Sequence, residues 1–168
     1  EALAAIEEAL KEGMCWVIDA DVVSYFDTIP QDRLMKAVAE RVVDGAMLAL
    51  VRMFLRAPIV DDREGGQPRR SKTGTPQGGV LSLLLANIYL HLMDRNFRRR
   101  VERQQLRGRL VRYADDFAVM VPRRPREELA WLRQVLERLG LRLHPEKTRV
   151  LWAGKEDFEF LGHRLRWR

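Results

Sequence analysis

The chain has 168 residues, enough for one domain with a sizeable core, and 46% of them are hydrophobic, an ordinary globular fraction. Lys and Arg number 30 against 24 Asp and Glu, a formal charge of +6, which favours an anionic partner, most commonly nucleic acid. The single cysteine, Cys15, rules out an internal disulfide, and the chain holds neither a signal-peptide pattern nor an apolar run of the ~20 residues that a membrane span needs.

Residues 1–12, EALAAIEEALKE, read as a helix closed by Gly13. The chain opens inside this pattern without an initiator Met, as a piece of a longer protein does. MCWVIDA, residues 14–20, reads as a buried strand, with Cys15 as a small core residue. It runs into acid: Asp19, Asp21 and then Asp27. Pro30 suits a helix first turn; Leu34, Val38 and Val42 follow at helical spacing until Gly45. A second helix over about 46–56 stops before Pro58. Residues 57–79, rich in Gly, Pro and charge, read as a loop or hairpin. LSLLLANIYLHLMDRNF is a long apolar helix that runs into the basic, solvated RRRVERQQLRGR. RLVRYA and FAVMV are two strands of a tight hairpin, with Asp115 and Asp116 between them. Residues 125–140 form a helix with Leu129, Leu132, Leu136 and Leu139 inward. Short strands follow at LRL, TRVLW, FEFLG and HRLRW, the last two as another hairpin. This order predicts an α+β fold: an antiparallel sheet with helices packed on one face, around a ferredoxin-like split βαβ core.

Adjacent aspartates repel, and each resists desolvation. A bare pair between strands is more often a solvated turn, because Asp is a good turn residue. The strand at 14–20 changes the balance. Residues two apart in a strand share a face, so Asp19 and Asp21 point the same way, and alternation alone does not choose between them. Beside the 110–121 hairpin, three acids would meet at one sheet edge. Such a cluster calls for a cation, and hard oxygen ligands favour Mg²⁺, which takes one or two carboxylates plus substrate phosphates. Two such ions support phosphoryl transfer.

The chain resembles the palm of reverse transcriptases, the group II intron-encoded and bacterial type. WVIDADVVSYFDTIP looks like the first catalytic block and GTPQGGVLSLLLANIYLHLMD like the second. YADD looks like the third, LHPEKT like the fourth, and FEFLGHRL like the primer-grip hairpin. Each alone is weak; five in order along nearly the whole chain are specific.

The resemblance implies an RNA-directed DNA polymerase. Asp21 is then the metal ligand of the first block, because Phe26 stands five residues later; Asp19 becomes a supporting acid, and Val22 offers a backbone carbonyl to metal. Asp115 is the second bridging ligand, with Asp116 assisting. Phe26 is the sugar gate, whose ring leaves no room for a ribose 2′-hydroxyl. Gln77 and Gly78 contact the nucleotide, and Lys147 protonates the leaving pyrophosphate. Phe160, Leu161 and Gly162 are primer-grip candidates. Tyr113 is expected to pack under the hairpin. The cofactor is a pair of Mg²⁺ ions, with Mn²⁺ as a substitute. The partners are an RNA template, a DNA or RNA primer and deoxynucleoside triphosphates. Intron RNA is the expected template, the bacterial cytoplasm the expected location, and no membrane is involved.

The same resemblance makes residues 1–168 one palm, with part of the fingers at about 46–79. The N-terminal fingers segments and the C-terminal thumb are then expected in the parent protein outside this chain. Two departures are Leu83, where the family carries proline, and Val23, where many relatives carry lysine. Rival readings are an RNA-binding maturase that assists splicing and a CRISPR- or defence-associated reverse transcriptase. His91, His144 and His163 lack ligand spacing, which argues against zinc.

Overall fold

The computed structural model describes residues 1–58, 73–75 and 79–167. Helix α1 (Ala2–Lys11) leads into strand β1 (Trp16–Ala20). A short α2 (Tyr25–Thr28), then α3 (Gln31–Ala39), α4 (Gly45–Arg56) and α5 (Ser82–Glu102) follow. Strands β2 (Arg109–Tyr113) and β3 (Asp116–Val121) form a hairpin before α6 (Pro125–Arg138) and β4 (Arg149–Trp152). Strands β5 (Phe158–Phe160) and β6 (His163–Leu165) pair separately.

The main sheet runs β2-β3-β1-β4, with every neighbouring pair antiparallel. Strand β3 is therefore inserted between β1 and β2, the split βαβ arrangement expected of the chain. Alternate residues of the central strands face opposite ways. Ile18 and Ala20 of β1, with Phe117, Val119 and Val121 of β3, join a core with α3, α5 and α6. Val17, Ala118 and Met120 join a second core with Ile6, Ala9 and Leu10 of α1 and with Phe158 and Phe160 of β5. The larger helices occupy one face as expected, but α1 and the β5–β6 hairpin cover the other. A strand buried on both sides reads as an unbroken apolar run, which is why FAVMV shows no alternation.

Several local boundaries moved. Met14 and Cys15 precede β1, and Cys15 is only half-buried. Val42 lies beyond α3, and Gly45 opens α4 behind Asp44, whose side chain accepts from the amides of Ala46 and Met47. Helix α5 absorbs the start of the basic run, to Glu102. Residues 141–143 form no strand, only a bridge from Leu143 to Val22. Helix α4 buries Val51 and Leu55 and leaves Met47, Leu50 and Met53 exposed. Among the described residues, no helix is long and apolar enough to cross a membrane.

Candidate active site

Register brings the acids together. Ala20 pairs with Phe117, so the next residues outward are Asp21 after β1 and Asp116 at the start of β3. Tyr113 pairs with Asp116, which makes the hairpin turn Ala114–Asp115 and corrects the expectation of an Asp115–Asp116 turn. Ala114 takes a left-handed φ of 55°, uncommon for a residue with a Cβ.

The crowding has an electrostatic consequence. Asp116 is exposed, yet partial burial pushes its carboxyl above the usual range, and the charges of Asp115, Asp21 and Asp19 push it further. Lys147 offsets part of that effect. Burial also raises Asp19, against the pull of Arg149, whose Nη2 donates to Asp19 Oδ2 at 3.0 Å. Asp21 instead faces Lys147, with Nζ 3.2 Å from Oδ2. The two acids that alternation could not separate thus have different partners: Asp19 an arginine on β4, Asp21 a largely exposed lysine.

A tight turn presents that lysine. His144 Nδ1 accepts from the amides of Glu146 and Lys147, both at 3.3 Å, and the Thr148 amide donates to the His144 carbonyl at 3.0 Å. His144 is therefore a capping residue, a role its spacing did not signal. The turn is tied to the segment after β1. His144 N donates to Asp21 O at 2.7 Å and Val23 N to Arg142 O at 2.9 Å, so neither bond takes the Val22 carbonyl.

Phe26 lies half-buried on α2, edge-on to Tyr25 at 5.5 Å between ring centres. Tyr25 is core, and its hydroxyl donates to Ala86 O at 2.5 Å. The start of the second block docks here: Thr75 N donates to Phe26 O at 2.7 Å. Gly74 has φ +80°, and a Cβ there would sit 2.7 Å from Phe26 O, so only glycine fits this approach. Gln77 and Gly78 lie outside the described residues.

The least anticipated feature is Arg112. Its Nε and Nη2 donate to Asp94 at 3.0 and 2.7 Å, and its Nη1 to Asn87 Oδ1 at 2.7 Å and Ala114 O at 2.8 Å. The sequence signal was faint: Asn87 and Asp94 are polar positions seven residues apart on helix α5, hence on one face.

Beyond the turn, Tyr113 is 63% exposed rather than packed beneath the hairpin. It lines an open cavity of about 530 Å³ with Leu161 and His163 at the β5–β6 tip. Leu161 and Gly162 form that tip with φ 52° and 73°, whereas Phe160 is buried in the core under the sheet. Of the three primer-grip candidates, only Leu161 and Gly162 stand at the turn.

A family model described as reverse transcriptase (RNA-dependent DNA polymerase) matches residues 3–165. The chain belongs to the reverse transcriptase family. It is 34% identical to Protein YkfC of Escherichia coli, over 89% of this chain and 46% of that protein. It is 28% identical to the group II intron-encoded protein LtrA of Lactococcus lactis, over 93% of this chain and 36% of that protein. The reverse transcriptase domain described here thus spans less than half the length of these relatives. The fold matches telomerase from Candida albicans, solved with a fragment of telomeric RNA, at a TM-score of 0.74 and 17% identity, over 98% of this chain and 32% of that one.

Reverse transcriptases generally depend on a divalent metal. Among the described residues, no three His, Cys, Asp or Glu side chains already form a metal cage. The donor set nevertheless fits a hard cation: Asp21, Asp115 and Asp116 are oxygen donors, mutually repelling, with a lysine ammonium as the offsetting charge.

Proposed function

We propose that this reverse transcriptase domain is the palm of an RNA-directed DNA polymerase that extends a primer 3′-hydroxyl with deoxynucleoside triphosphates. The observation that carries the reading is the convergence of Asp21, Asp115 and Asp116 at one sheet edge, where the charges of Asp115 and Asp21 add to the burial that raises the Asp116 carboxyl. Asp21 and Asp115, with Asp116 assisting and the Val22 carbonyl available, would hold two Mg²⁺ ions, or Mn²⁺ in their place. When bound, such ions supply activation of the attacking hydroxyl and neutralisation of charge on the phosphates. The protein's own part is to hold the carboxylates on two paired strands, so that little reorganisation is needed as charge develops.

Phe26 lies where a ring can exclude the 2′-hydroxyl, and Gln77 and Gly78 follow the segment docked on it. Lys147 stands beside Asp21 as a donor for the leaving pyrophosphate. Leu161 lines the same cavity as Tyr113 and, with Gly162 beside it in the turn, supports the primer. Residues 1–168 act as one palm, with part of the fingers at about 46–79. The exposed apolar face of α4 fits packing against further fingers and thumb regions of a longer protein. The likeness to LtrA favours intron RNA as template and a bacterial cytoplasmic setting.

The test is primer extension on an RNA template with Mg²⁺ and deoxynucleotides, comparing the protein with its Asp115→Ala, Asp116→Ala double variant. Synthesis that vanishes in a folded variant supports the polymerase. No synthesis by a folded protein that binds RNA tightly would overturn it in favour of a splicing or binding role.

A further inference from the structure

We propose that Arg112 is a positioning residue that fixes the Asp115 turn to helix α5 and so sets where the catalytic carboxylate stands. The inference rests on the polymerase reading above.

Strand β2 carries two arginines with opposite destinations. Arg109 reaches α1, where it pairs with Glu8 and Glu12. Arg112 reaches the other face, where Asp94 and Asn87 of α5 receive it. Its side chain is only 14% exposed, against 27% for Arg109. A guanidinium offers five N–H donors in a planar fork. Here the edge formed by Nε and Nη2 is spent on Asp94, the two-point pairing that fixes its plane. The remaining nitrogen, Nη1, bridges Asn87 Oδ1 and the carbonyl of Ala114.

That carbonyl belongs to the residue with φ 55°, immediately before Asp115. A conformation uncommon for an L-residue persists where surrounding contacts over-determine it. The bond from Arg112 is such a contact, and it acts on the peptide that leads into Asp115. Helix α5 is a shared reference. The carbonyl of Ala86, one residue before Asn87, accepts from Tyr25, the neighbour of Phe26. One turn of α5 therefore holds both the Phe26 segment and the Asp115 turn. A lysine at 112 keeps the charge but lacks the fork, so it cannot hold Asp94, Asn87 and Ala114 O in one plane.

The experiment compares the wild-type protein, Arg112→Lys, Asn87→Ala and Arg109→Lys in single-turnover addition of one deoxynucleotide to a primer on an RNA template. Primer–template affinity, Tm and Mn²⁺ binding by electron paramagnetic resonance are measured alongside. Arg112→Lys is expected to slow addition on the order of 30-fold, the scale of a sub-ångström to ångström misplacement. It should also weaken Mn²⁺ binding several-fold while leaving primer–template affinity unchanged. Asn87→Ala, which removes one acceptor and leaves the Asp94 pairing, is expected to slow addition about 3-fold with little change in Tm, and it carries the test if Arg112→Lys does not fold. Arg109→Lys should keep the wild-type addition rate even if its Tm falls. Wild-type rates and Mn²⁺ affinity in Arg112→Lys and Asn87→Ala, or a loss that merely tracks Tm across all three variants, would overturn the inference. An inactive wild-type protein would instead count against the polymerase reading; Mn²⁺ binding would still decide the role of Arg112.

Discussion

The β2–β3 and β5–β6 hairpins have turns of the same length but place and pair their acids differently. At the first, Asp115 and Asp116 face Asp21, and the carboxyl of Asp116 is pushed up by burial and by its neighbours. At the open end of the second, away from its turn, Asp157 lies between Arg166 and Arg164, at 2.9 and 2.8 Å, and a hydrogen bond from Arg166 leads the effects that hold its carboxyl below the usual range. The backbones differ in the same sense. Leu161 and Gly162 both take positive φ, as a two-residue hairpin loop commonly requires, and the glycine supplies it at no steric cost. Ala114 takes positive φ without glycine and is held by Arg112. The acid of the β5–β6 hairpin is neutralised by two arginines. The β2–β3 turn gathers like charge that stability alone would disperse, as the proposed metal site requires.

Four outcomes would sharpen or break that contrast. The largest concerns chemistry. Asp115→Asn should slow nucleotide addition by ~10³-fold or more, the scale of losing a group that stabilises developing charge. Asp157→Asn should leave the addition rate at the wild-type value; equal losses in both would erase the distinction. Next, divalent metal should stabilise only one hairpin's surroundings. Saturating Mg²⁺ or Mn²⁺, at about ten times its dissociation constant, adds ~1.4 kcal/mol by mass action. Calorimetry should show that gain in the wild-type protein and lose it in Asp21→Asn.

Backbone substitutions should act with opposite signs. Gly162→Ala puts a Cβ at φ +73° with nothing within 4 Å, so only backbone strain counts, and chemical denaturation should register a loss of about 1 kcal/mol. Ala114→Gly relieves the strain at φ 55° and should gain up to about 1 kcal/mol while slowing nucleotide addition, because the turn loosens.

The smallest effect is in pH. Without metal, Asp116 binds its proton more tightly when folded than at its ordinary value of 3.8. Its contribution is therefore most favourable below that value and is lost as pH rises through the raised folded value. Asp116→Asn should raise Tm at pH 7, with the gap closing towards pH 4. Asp157 is the reverse. Its folded value lies below 3.8, so its contribution is present above that value and is lost as pH falls through the folded one. Asp157→Asn should lower Tm at pH 7 and converge with wild type in acid. Parallel curves for the two variants would contradict the opposite shifts.

Much of this arrangement was legible in the residues. Hydrophobic period located the long helices, because α5 and α6 bury regular faces. Apolar runs located β1 and β3. Motif order placed Asp21, Asp115 and Asp116 in one functional set, and the strand register brings them to one edge. What stayed hidden depends on long-range partners. Nothing local says that Arg112 faces Asp94 and Asn87 while Arg109 faces α1, because both arginines sit on one half-polar edge strand. Nothing local separates Asp19 from Asp21, since alternation gives them the same face. The second covered face of the sheet was missed because a short amphipathic helix does not state which surface it packs on.

By itself, then, the sequence determined the element types and the α+β class, since those follow from periodicity and turn chemistry within short stretches of chain. Only the tertiary structure decided which carboxylate meets a lysine and which an arginine, which residues complete the Ala114–Asp115 turn, and that Phe160 is core. Those outcomes turn on contacts between residues far apart in the chain, whose energies exist only once the sheet register has brought them within hydrogen-bonding distance.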